Sequence, residues 1–255
     1  MSARYYWEEG EGLRSTSALL SGDEAHHLIR VMRAKPGDEF LLFDGKGFEY
    51  RAETVEIGRG SVRLRIIEAR EICNDPQIEV SAAVALPKGD RQKWLIEKLT
   101  ELGVRRFVPL EVERADIKVD GGVLARLRRQ VVEASKQCGR SRFMEILPPM
   151  PRRQAAAACE KESSDAPLCV LAHPISDGAF GQKSFLDFLR QGFRGGNWTG
   201  AKHIFLAIGP VGGFSDREVR EAADDGWPIL DLGKEVYRVE TAAITAAALF
   251  LHLGD

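Results

Sequence analysis

The sequence predicts an α/β protein in two parts: a β-rich N-terminal region, then a longer region in which strands and helices alternate. Three observations predict it. Between Glu39 and Ala69, three strand-like runs are separated by short glycine-bearing turns. From Ile78 onward, short apolar runs alternate with amphipathic segments, the pattern of βαβ units on a mostly parallel sheet. Two glycine-marked loops, Gly209-Pro210-Val211-Gly212-Gly213 and the one at Gly233, each follow a short apolar strand, where an open α/β sheet binds ligands.

Arg4-Tyr5-Tyr6-Trp7 reads as an aromatic strand. Ser21 to Ala34 is expected to contain a helix, with Ser21 able to cap it, Asp23 and Glu24 in its first turn, and Leu28, Val31 and Met32 as its apolar stripe. Lys35-Pro36-Gly37-Asp38 is a turn, and Glu39–Phe43, Phe48–Ile57 and Ser61–Ala69 are strands. This region reads as a small β-barrel or open sheet with one helix, and Asn74-Asp75-Pro76 as the linker that ends it. The expected domains are residues 1–72 and 77–255.

In the second region, strands are expected at Ile78–Leu86, Val104–Leu110 and Leu168–Ala172. Helices are expected at Arg91–Leu102, Val123–Cys138, Ala155–Cys159 and Phe185–Leu189, with a flexible loop from Gly192 to Gly200. Leu206-Ala207-Ile208 is a buried strand that runs straight into the glycine loop. Ser215 and Glu218 then form a capping box for a helix over Asp216–Asp225. A strand at Ile229–Leu232 leads to Gly233, then Tyr237-Arg238-Val239-Glu240-Thr241, then an alanine-rich helix over Thr241–Leu253. The alanines allow close approach, in the core or at a subunit contact.

Charged residues make up 29% and hydrophobic ones 44%, as in ordinary soluble globular proteins. The net charge of -2 excludes a crude polycation. Ala85–Arg153, however, holds 16 Lys/Arg against 9 Asp/Glu, which suggests a localised face for an anionic partner. Cys73, Cys138, Cys159 and Cys169 show neither CxxC nor metal-ligand spacing and read as free thiols, so no metal is expected. The start of the chain has no secretory signal, and Ala242–Leu251 is too short to span a bilayer, so the expectation is a cytoplasmic protein off the membrane. GxGxxG, GxxxxGK[ST] and GxSxG are all missing, which argues against a dinucleotide fold, a P-loop and a hydrolase elbow.

The segment LAIGPVGGFSDREVREAADDGWPILDLGKEVYRVETAAITA resembles the C-terminal signature of the RsmE family, close to IGPEGGFS followed by LGxxILRxETA. HHLIRVMRAKPGDEFLLFDGKG, ALPKGDRQKWLIEKLTELGV and EASKQCGRS also match, in order, through nearly the whole chain. The resemblance implies a PUA-like β-barrel domain, then a SPOUT α/β domain with a trefoil knot, paired as a homodimer through the knot region. It implies methylation of N3 of a uridine in small-subunit (16S) ribosomal RNA, with S-adenosylmethionine as cofactor. Other readings are a SPOUT enzyme for another RNA and an RNA-binding protein without activity.

Carried over by position, the cofactor residues are Leu171, Ala172, Ile208, Gly209, Gly212, Gly213, Leu232, Gly233, Val236, Tyr237 and Arg238. Val211 stands where the family has glutamate, Tyr237 where it has leucine and Val239 where it has threonine. Methylation at N3 spreads negative charge onto O2 and O4, and an arginine's fixed charge suits that task. Arg238 is the catalytic candidate, against the alternative that it pairs structurally with Glu240 or another acid. His173 is a candidate base, although the proton can also leave to water. The RNA candidates are Arg4, Arg30, Arg33 and Lys35 on the N-terminal domain, and Lys88, Arg91, Arg140 and Arg142 on the catalytic one.

Overall fold

The computed structural model describes residues 4–72, 76–115, 117–161, 166–174, 183–195 and 202–252. Cys73, the Asn74-Asp75 part of the expected linker, residues 196–200 of the expected loop, and Leu253 lie outside them. The chain divides into two compact units, Met1–Asp75 with Val131–Phe143, and Pro76–Gln130 with Met144–Asp255.

In the first unit, β1 (Arg4–Tyr6), β2 (Ser17–Ser21), β3 (Glu39–Phe43), β4 (Phe48–Ile57) and β5 (Ser61–Glu71) form one mixed sheet, ordered β1-β3-β4-β5-β2. β3, β4 and β5 lie on the expected runs, β5 extending two residues further. β2 pairs antiparallel with β5. It alternates, with Ala18 and Leu20 inward and Ser17, Leu19 and Ser21 outward. Tyr5, Trp7, Leu20, Leu42, Tyr50 and Leu64 anchor the core.

The helix expected within 21–34 is present, in two parts. α1 (Gly22–His26) continues as a π-helical stretch, His27–Val31, and Met32 N–H donates to the His27 carbonyl at 3.1 Å. Ser21 makes no side-chain cap bond. The wider π turn shifts the register, so Leu28 packs inside with Ala25 while Val31 and Met32 face solvent. The expected apolar stripe is therefore only partly buried.

Among the described residues of the second unit every strand pair is parallel. The strands are β6 (Glu79–Val84), β7 (Arg106–Glu111), β8 (Glu145–Ile146), β9 (Met150–Pro151), β10 (Leu168–Ala172), β11 (Lys183–Ser184), β12 (His203–Ile208) and β13 (Ile229–Asp231). Their order is β11-β13-β10-β12-β6-β7-β8, with β9 also on β7. The helices are α2 (Arg91–Leu102), α3 (Gly121–Cys138), α4 (Arg152–Lys161), α5 (Phe185–Gly195), α6 (Asp216–Asp224) and α7 (Val239–His252). α5 reaches Gly195, so part of the expected flexible loop is helix. The last residues of α3 belong to the first unit. All six residues of β12 are buried, as in a strand covered on both faces. α7 starts two residues before its expected position and lies on α2, β6 and β12, burying Ala243, Ala246 and Ala247 completely. Three of its small residues thus serve close packing within the chain. Among the described residues no helix is long and apolar enough to cross a membrane.

β12 also carries a buried titratable group. His203 is fully buried, its Nε2 2.9 Å from Ser81 Oγ and 3.9 Å from Glu79 Oε1. Burial pushes its pKa down; Glu79 opposes the shift and Arg106 adds to it. The unfolded chain therefore binds more protons below the ordinary histidine pKa of about 6.5. This part of the stability is complete above that pH and is lost as pH falls toward the lower folded value. Thermal melts from about pH 7.5 to 5.5 should show Tm falling as the pH drops. His203→Gln, which keeps a hydrogen bond available to Ser81, should flatten the fall; equal slopes would refute the assignment.

Candidate active site

β13, β10 and β12 end side by side, and the segments that follow them wall one cavity. After Ile208 the chain turns sharply, the Pro210 carbonyl accepting the Gly213 N–H at 2.8 Å. Gly213 has a φ of 68°, a region a side chain rarely enters, and a Cβ there would lie 3.4 Å from His173 Cε1. The turn runs into α6. Ser215 Oγ accepts the Glu218 N–H at 3.3 Å and Glu218 Oε2 accepts the Ser215 N–H at 2.8 Å, the expected capping box. The segment after β7 ties this loop down: Arg114 Nη1 donates to the Gly212 carbonyl at 2.9 Å, and Glu113 N–H to Glu218 Oε1 at 3.0 Å.

The cleft holds about 550 Å³ of space, part of it open to solvent. Ala172, His173 and Pro174 wall it after β10, and Ile208, Gly209, Pro210, Val211, Gly213 and Phe214 after β12. Asp231, Leu232, Glu235, Val236 and Tyr237 come from the end of β13 and its loop, with Val239 and Ala242 from the start of α7. Burial pushes the His173 pKa down, with Asp216 opposing and Arg114 adding, so the ring is neutral at pH 7. Among the described lining residues, the acidic side chains are Asp231 and Glu235, and none is lysine or arginine. Asp231 Oδ1 also accepts the Gly233 N–H at 3.3 Å.

Residues 74–251 match the RNA methyltransferase domain family, and residues 20–67 the RNA methyltransferase PUA domain family. A ribosomal RNA small subunit methyltransferase E from Synechocystis sp. is 32% identical over 240 residues, covering 93% of this chain and 74% of that protein. The chain belongs to the RsmE family. A Legionella pneumophila protein solved in complex with SAM is 30% identical, with a TM-score of 0.79 over 98% of this chain and 97% of that one. An RsmE from Neisseria gonorrhoeae bound to S-adenosyl methionine is 25% identical, with a TM-score of 0.80 over 99% and 98%. The N-terminal unit is accordingly PUA-like.

Of the RsmE positions expected to hold cofactor, Ala172, Ile208, Gly209, Gly213, Leu232, Val236 and Tyr237 line the cavity. Leu171 does not. Strand alternation turns it into the core beside Phe205 and Phe214, and its N–H donates to the Pro228 carbonyl. Gly212 and Gly233 shape the two loops without lining the cavity, and the Gly212 carbonyl is taken by Arg114. Arg238 sits between the lining residues Tyr237 and Val239; it is exposed, and its guanidinium has no partner among the described residues. The alternative pairing with Glu240 is not made: Glu240 is 4% exposed and its Oε2 has no hydrogen-bond partner.

The basic candidates separate. Arg30, Arg33 and Lys35 are exposed around the π-helical stretch, and Lys88 is exposed just after β6, with Arg91 half-buried at the start of α2. Arg4 is corrected. Its side chain is 8% exposed, Nη2 lies 2.6 Å from Glu49 Oε1 and 2.7 Å from Ser141 Oγ, and the guanidinium covers the Phe43 ring, so it braces the interior. Arg140 and Arg142, expected on the catalytic domain, pack within the first unit, Arg142 bridging to Gly45 and Lys46. Sequence reasoning missed Asp231, Glu235, Phe214 and Ala242 as lining residues. An acid closing the apolar run Ile229-Leu230, two residues before Gly233, was the available signal for Asp231.

Proposed function

We propose that this chain transfers a methyl group from S-adenosylmethionine to N3 of a uridine in small-subunit (16S) ribosomal RNA. The observation that carries the reading is the cavity at the ends of β10, β12 and β13, set in an RsmE family chain with an exposed arginine between two of its lining residues. The wall suits the cofactor's chemistry. Backbone around Gly209 and Gly213 can approach a ligand edge closely, Leu232, Val236 and Tyr237 offer apolar and aromatic faces, and two carboxylates offset positive charge.

Bound S-adenosylmethionine supplies a methyl group on a positively charged sulfur. The chain's own task is alignment, which the two tethered loops provide. Arg238 stabilises the negative charge that spreads over uridine O2 and O4 as N3 loses its proton. The neutral imidazole of His173, in the cavity wall, accepts that proton directly or through water. Residues 1–72 act as an RNA-binding domain through Arg30, Arg33 and Lys35, and residues 77–255 as the SPOUT domain, with Lys88 and Arg91 on the RNA side. The proposal includes a trefoil knot in the C-terminal domain, a homodimer through the knot region, and action in the cytoplasm.

The test combines pure protein, methyl-labelled S-adenosylmethionine and small ribosomal subunits from a strain lacking its own enzyme, followed by digestion of the RNA to nucleosides. Label in N3-methyluridine is the expected result. Label in another nucleoside would move the substrate and keep the cofactor. No label, with no cofactor binding by calorimetry, would overturn the reading in favour of an RNA-binding protein without activity.

A further inference from the structure

Val211 puts an apolar side chain, 63% exposed, where the resemblance leads one to expect a carboxylate. The same cavity is also lined by two acidic residues, Asp231 at the end of β13 and Glu235 in the loop after it. No lysine or arginine is among the described lining residues, and burial keeps His173 neutral. The described wall is therefore net negative, on a surface otherwise made of apolar side chains and backbone.

We infer that Asp231, supported by Glu235, is the charge-selecting group of this pocket: it favours the sulfonium cofactor over the neutral thioether that remains after methyl transfer. This rests on the proposed methyltransferase reading. In the reaction the sulfur gives its methyl group to N3, keeps the bonding electron pair and loses its positive charge. Both carboxylates belong to the wall of the cavity, and charges closer than about one Debye length, ~10 Å at 0.1 M salt, escape most of the screening by salt. Their attraction thus acts on the cofactor before transfer and largely disappears after it, which aids product release. Asp231 is the stronger of the two because it is half-buried and less screened, whereas Glu235 is exposed.

A competing role for Asp231 is purely conformational, since its Oδ1 accepts the Gly233 N–H. Asp231→Asn separates the two, because the amide oxygen keeps that bond and the charge is lost. Calorimetry would measure S-adenosylmethionine and S-adenosylhomocysteine on wild type, D231N and E235Q, at low and high salt. The expected result is about a tenfold loss of S-adenosylmethionine affinity in D231N, less than about twofold for S-adenosylhomocysteine, and a smaller change in the same direction for E235Q. The wild-type preference should also shrink with added salt. An unchanged affinity ratio in D231N, or equal losses for both ligands, overturns the inference. If wild type binds neither ligand, the methyltransferase reading itself fails, a separate outcome visible before any variant is made.

Discussion

Arg238→Ala is expected to lower turnover about 10²-fold or more, the scale of removing one preorganised charge stabiliser, while RNA binding persists. Cofactor affinity should stay within about twofold, because Arg238 lies beside the cavity wall and does not line it. Folding stability should also hold to about 0.5 kcal/mol, since the side chain is exposed and has no partner among the described residues. These controls matter because the rival account makes Arg238 the partner of Glu240. A lost ion pair to a carboxylate that is 4% exposed would cost stability, and no such pair is formed. Arg238→Lys keeps the charge and loses the planar fork of donors, so its turnover should fall between wild type and alanine. Single-turnover rates, a thermal melt and calorimetry on the three proteins test this together. Wild-type turnover in R238A would remove Arg238 from the mechanism; a matching fall in Tm would make its role structural.

The local signals in the sequence were strong where short-range physics sets the structure. The strand before Gly209, the glycines of the turn and the Ser215–Glu218 box all lie within a dozen residues, and the structure keeps all three. The helix at Arg91–Leu102 sits on its expected residues because its amphipathic pattern and Gly103 leave little choice. Features set by distant partners were not legible. β2 has one serine at each end and a poor strand composition, and it exists because β5 pairs with it. The π turn after His26 cannot be read from a 3.6-residue pattern, which is why Val31 and Met32 were placed inside. Arg4 looked like a surface cation because Glu49 and Ser141, which enclose it, are 45 and 137 positions away. The loop after β13 was legible as part of the site, and the order β13-β10-β12, which interrupts chain order, is what sets it beside the glycine turn.

Gly209→Ala should be the most damaging single-methyl change in the site. A Cβ at 209 would lie 2.9 Å from Phe214 Cδ2, 3.1 Å from Cε2 and 3.1 Å from the Phe214 backbone nitrogen. The ring cannot simply retreat. Phe214 is 3% exposed and packed in the core with Leu171, Ala207 and Val219, and Ser215, the cap of α6, follows it directly. Overpacking of this kind costs about 1–3 kcal/mol. Because the displaced segment walls the cavity, the expected loss of S-adenosylmethionine affinity is about tenfold or more, along with a Tm lower by several degrees. Gly212→Ala is the matched control: its Cβ would meet only Arg114 Cδ, at an ordinary 3.7 Å, so stability should change by less than about 0.5 kcal/mol. The contrast isolates close packing at one position from any general need for glycine in the loop. If G209A melts and binds cofactor like wild type, Phe214 does not set the shape of the pocket. If G212A is as damaged as G209A, the loop depends on glycine flexibility and not on this contact.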